Sequence, residues 1–171
     1  MKPAPLYSKN PVGLGKQPYH YPNQFVEGSN LAAGETIPFG RAVGQGSVVD
    51  GITILKLANS TLAKPFRGVS AESTDARDPD NQSYIAGDAM GIVKTGVVTV
   101  YTEEVVNSLD PVRIRIQNHA TDPAKRCGNF CKTAIPGQTA LLEGAEFKSE
   151  STTDGKVVLF LSDFVRVTPD A

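Results

Sequence analysis

Sixteen glycines and twelve prolines spread along 171 residues leave no stretch in which a long helix can run. Proline removes a backbone donor and glycine loses extra entropy when ordered, so each interrupts a helical ladder yet sits well at a turn between strands. A chain punctuated in this way folds as short strands joined by turns. Its hydrophobic fraction of 40% supplies one core, and its length suits one domain with an appendage.

The appendage is N-terminal. Residues 1–24 read MKPAPLYSKNPVGLGKQPYHYPNQ and hold no apolar period, which predicts an extended arm ahead of a β domain over residues 25–171. Tyr7, Tyr19, His20 and Tyr21 stand among the prolines as candidate anchors to another surface, and Lys2, Lys9 and Lys16 make the arm basic. A docking arm and a disordered tail both fit this composition.

Strand signals begin at residue 34. In GETIPFGRAVG, Ile37 and Phe39 alternate with Thr36 and Gly40, and Pro38 marks an edge position. SVV and ITILKL flank Asp50-Gly51, a pair that tolerates the positive φ of a two-residue hairpin turn. DAMGIVKTGVVTVYT, interrupted by Gly91 and Gly96, predicts two short strands or one bulged strand. Val112, Ile114 and Ile116 alternate with Arg113, Arg115 and Gln117, giving one core face and one face for water or a partner. Asp154-Gly155 separates AEFKS from KVVLFL, whose two apolar faces predict a central strand or one covered at an interface, and hence self-association. VRVT closes the series, and Thr102–Leu109 is the only helix candidate. The fold expected is all-β, an antiparallel β-sandwich or β-barrel with an extended N-terminal arm.

The formal charge of −1 supplies no long-range attraction for nucleic acid or anionic lipid. No run approaches the ~20 apolar residues of a membrane span, and no signal-peptide core opens the chain. Neither nucleic acid nor membrane is an expected partner. Arg113 and Arg115 share a strand face near a basic stretch and form a candidate contact face, with solvation or salt bridging as the alternative.

Chemistry finds little support. CGNFC at 127–131 spaces Cys127 and Cys131 one residue wider than the usual zinc pair and has no second pair to complete it, so packing cysteines or a local disulfide fit better. Lys125, Arg126 and Lys132 would favour a reactive thiolate if the sulfur were exposed. Asp75, Asp78, Asp80 and Asn81 lack the spacing of a calcium loop. No nucleophile elbow or phosphate loop exists. No catalytic residue, metal or cofactor is expected, and the chain does not read as an enzyme.

The order GETIPFGRAVG, KPFRGVSAES, SYIAGDAMGIVKTGVVTVYTEE, then a late Gly-rich β segment resembles the structural cement proteins that decorate tailed-bacteriophage capsids. The correspondence runs through Gly40, Gly68 and Val69, Tyr84, Gly87 and Asp88, and Ile92 to Val100, over about residues 34–168. The resemblance implies a virion protein, assembled in the host cytoplasm, on the outer capsid surface. It would bridge neighbouring major capsid proteins and associate with its own copies, a trimer before a dimer. A β-sandwich virion accessory protein that binds a ligand or glycan is the alternative.

Overall fold

The computed structural model describes residues 13–17, 25–32, 34–73 and 82–171. Their strands are β1 (Phe25–Ala32), β2 (Ile37–Pro38), β3 (Ala42–Val49), β4 (Ile52–Leu57), β5 (Lys64–Ser70) and β6 (Ser83–Tyr84). β7 (Ala89–Tyr101), β8 (Arg113–Arg115), β9 (Phe130–Cys131), β10 (Thr139–Phe147) and β11 (Lys156–Pro169) follow. No helix occurs among the described residues. The acidic cluster around Asp78 lies outside them, as do Tyr7, Tyr19, His20 and Tyr21.

β1, β4, β3, β5, β7, β11, β10, β8 and β9 form one sheet in that order, while β2 and β6 pair separately. β1 runs parallel to β4 and antiparallel to β7, so the pairing closes on itself within β1, β4, β3, β5 and β7. β11, β10, β8 and β9 continue from β7 as an open wing, so the whole is an all-β sandwich and not a closed barrel.

β7 joins the two parts. Up to Thr95 it lies beside β1 and β5, and from Gly96 onward it pairs with β11. Gly96 has φ 105°, which lets a single strand of 13 residues change partners. Of the two expected forms, one bulged strand is the one present, with a register shift against β1 between Thr95 and Val93. β11 is central, between β7 and β10. Val157, Leu159 and Leu161 enter the larger core, and on the other face Val158 is buried and Phe160 half-buried. The chain itself covers most of this apolar run, so the pattern alone does not require self-association.

Local turn chemistry explains the hairpins. Asp50 and Gly51 both take positive φ, at 50° and 80°, and close β3 onto β4 through the pair Val49↔Ile52. Asp154-Gly155 turns differently: only Gly155 is left-handed, its N–H donates to Thr152 O at 3.0 Å, and the connection from β10 to β11 is longer. Tyr84-Ile85-Ala86-Gly87-Asp88 is a turn in which the Asp88 carboxylate accepts from Ile85 N at 2.9 Å, while buried Tyr84 donates to Ala71 O at 2.7 Å.

Thr102–Leu109 is not helical. Asn107 accepts from Leu109 N at 3.0 Å and Asp110 accepts from Asn107 N at 2.9 Å, so side chains take the amides that a short helix would need. Within the expected arm, Gly15 N donates to Thr99 O at 2.8 Å, Thr99 N donates to Lys16 O at 2.8 Å, and Leu14 packs against the smaller core. Residues 13–17 thus lie against the domain.

Candidate interaction surface

The two arginines expected to present a contact face are turned to internal work. Arg115 has a side chain only 1% exposed and Glu103 one 5% exposed. Arg115 Nε donates to both Glu103 oxygens at 2.9 and 2.8 Å, and Nη1 donates to Gln138 at 3.1 Å. These hydrogen bonds raise the Arg115 pKa against the opposing effect of burial. Arg113 donates to both oxygens of Asp170 at 3.2 Å and to Lys132 O at 2.6 Å, which ties β8 to the C-terminus. Arg115 therefore offers nothing to a partner. The face of β8 opposite its apolar residues is covered by the segment after β7 and by CGNFC, and neither cover can be read from the alternation in β8.

CGNFC is a structural staple. Gly128 has φ +83°, and a Cβ there would lie 2.7 Å from Ala42 O. Its carbonyl accepts from Ala42 N at 2.8 Å and its N–H donates to Arg115 O at 2.9 Å, so it bridges β3 to β8. Asn129 is buried and fully engaged, accepting from Arg41 at 2.6 Å and donating to Ala124 O at 2.7 Å. Cys127 and Cys131 are free thiols. Burial is the main cause that raises both, Cys131 to about 12, and it outweighs the nearby cations that would favour thiolate. Among the described residues no three His, Cys, Asp or Glu side chains group as a metal site.

What remains for a partner is apolar surface at one end. β3 pairs with β5 only as far as Gln45↔Lys64, so Val48 and Val49, each 54% exposed, project past the start of β5 with Ile52. β1 begins at this end, with Phe25 opposite Thr95, and exposed Val26 follows. A bulge on β11 lies across an open cleft from Lys64 and Thr95, and Phe164 on it is 88% exposed. Gly144 makes this bulge feasible, since at φ +85° a Cβ would meet Phe164 O at 2.4 Å. Val48, Val49 and Ile52 share the β3–β4 hairpin tip, and Val26, Phe164, Val105 and Leu109 are the other exposed large apolar side chains among the described residues. Glu27 binds both Arg67 at 2.7 Å and Lys94 at 3.0 Å nearby, so one carboxylate ties two cations together and leaves the cluster with an excess positive charge.

The family model described as structural cement protein (E217 gp24/Pam3 gp6) matches residues 6–161. The chain belongs to this phage cement family. No curated protein matches it. A chain from "The capsid of Myoviridae Phage XM1" shares its fold, with a TM-score of 0.67 at 14% identity, over 90% of this chain and 92% of that one. As a cement protein it is a structural component of the virion, located on the capsid, where it stabilises the head. The residues Gly40, Gly68, Tyr84, Gly87 and Asp88 that carry the resemblance serve turns and close strand packing, with no chemical group directed at a ligand. The cement fold is thus recognised through its backbone geometry.

Proposed function

We propose that this cement protein seats on the outer surface of the phage head and bridges neighbouring major capsid proteins, through the open apolar end and the arm. The exposed apolar hairpin tip of Val48, Val49 and Ile52, with Val26 and Phe164 exposed on β1 and β11, carries this reading, because exposed apolar surface of this kind marks a contact that excludes water. Binding alone suffices for such a role, and the protein works without catalysis or cofactor. Tyr7, Tyr19, His20 and Tyr21 act as the arm's anchors, since aromatic side chains concentrate interface energy. Arg113 and Arg115 contribute by holding the domain rigid. Copies associate, as a trimer before a dimer; family membership supports this where β11 does not.

The test mixes the protein with shells lacking this subunit and measures occupancy and resistance to heat. Residues 13–17 must be kept, because their removal strips hydrogen bonds from Thr99. A variant lacking residues 1–12 and carrying Tyr19→Ser, His20→Ser and Tyr21→Ser is expected to fold normally and to lose about tenfold in occupancy, equivalent to about 1.4 kcal/mol. Equal occupancy and equal protection would return the arm to the status of a tail. Val48→Ser with Val49→Ser separately tests the apolar end.

A further inference from the structure

At the other end of β3, two guanidinium groups face one cavity without a carboxylate between them. Arg41 and Arg126 line a cavity of about 310 Å³ whose walls include Pro38, Leu57, Tyr101 and Asn129. Arg41 stacks 3.9 Å from the centroid of the Tyr101 ring and donates to Asn129 Oδ1 at 2.6 Å. Arg126 Nε donates to Pro123 O at 2.6 Å. Neither arginine forms an ion pair among the described residues. The nearest buried acid, Glu103, is committed to Arg115 and reaches Arg41 only through Asn129, whose amide lies 3.3 Å from Glu103 Oε2.

The adjoining cavity, which Arg126 also lines, holds two acids, neither of which forms an ion pair with Arg126. Glu35 accepts from Leu57 N at 2.9 Å, and Asp122 sits 3.8 Å from Lys125. Arg41 accordingly has its pKa lowered to about 10; burial is the main cause and Arg126 adds to it, against opposing contributions from Tyr101 and Glu103. A desolvated cation beside a second cation gains from an incoming anion. Planar guanidinium forks match a carboxylate, and the proline, leucine and tyrosine walls match the methylenes of an acidic side chain. The cavity is of a size to enclose such a group.

We propose that this cavity receives an acidic side chain from a neighbouring protein subunit of the shell, its carboxylate held between Arg41 and Arg126. The proposal rests on the capsid-seating reading and adds a second contact at the end opposite the hairpin tip, as bridging requires. Arg126 is exposed, so a substitution there leaves the buried core in place. Arg126→Glu supplies the carboxylate from within the chain, so it should occupy Arg41, leave the melting temperature unchanged or raised, and still block the site. Arg126→Lys keeps the charge.

Full-length protein and both variants are added to shells lacking this subunit. Occupancy is measured together with the rate at which iodoacetamide labels Cys127, which lines the same cavity. The expected results are at least about a tenfold loss of occupancy for Arg126→Glu, near-normal seating for Arg126→Lys, and labelling of Cys127 at least about tenfold slower on the shell than free. Normal seating of Arg126→Glu, or equal labelling on and off the shell, overturns the proposal while the cement role stands. Failure of the unmodified protein to seat overturns the capsid-seating reading, and this proposal with it.

Discussion

Truncating Glu103 to alanine should be among the most damaging single changes to this fold outside the apolar core. The mutation leaves Arg115, whose side chain is 1% exposed, without its carboxylate in a site closed by CGNFC and the segment after β7. Leaving one partner of a buried pair uncompensated costs about 3–5 kcal/mol. Total stability for a domain is about 5–15 kcal/mol, so the loss is a large share of it. For a chain of this length each kcal/mol moves the melting temperature by about 2–4 °C, which gives a fall of about 6–20 °C. Glu103→Leu combined with Arg115→Met removes both charges at similar volume and should recover most of the loss. Asn129 keeps Ala124 O as its partner in either variant. Calorimetry with urea unfolding of the single and double variants reads both quantities. If Glu103→Ala lowers stability by less than about 1 kcal/mol, or the double variant is as unstable as the single one, the pair is not the buried tie described.

Three further outcomes follow from the same contacts. Gly144→Ala should cost about 1–3 kcal/mol in urea unfolding and more than Gly137→Ala, because both sites are left-handed but only Gly144 faces a backbone oxygen at 2.4 Å; equal costs would mean that the bulge adapts. Glu104 is a pH-dependent tie: burial raises its pKa, but the N–H groups of Thr133 and Lys132 outweigh it and hold the folded value below the ordinary 4.5. Its contribution is therefore complete above about pH 4.5 and lost as pH falls through the folded value, so Glu104→Gln should flatten the acid limb of melting temperature against pH. Iodoacetamide on the free, native protein should label half-buried Cys127 well before Cys131, whose thiol is buried and pushed up to about 12; equal rates would contradict this burial.

Local chemistry was legible in the residues themselves. Positive φ at Asp50-Gly51, the scarcity of any helical stretch, and the buried alternation of Val112, Ile114 and Ile116 depend on neighbours within a few positions, so period and turn type announce them. Part of the cement resemblance belongs to the same class, since the Tyr84 to Asp88 turn is a local device, whereas Gly40 and Gly68 answer to Thr99 and Val93, which are distant in the chain. The second cover of each strand was not legible. KVVLFL reads the same whether β10 and the core or another copy covers it, and Arg115 reads the same whether it meets water or Glu103. Those choices depend on pairings between residues far apart in the chain, such as Ala42 with Gly128 and Gly96 with Leu161. Only the closed tertiary arrangement sets which charges are buried, where apolar residues are left outside, and that Arg41 meets Arg126 without an acid between them.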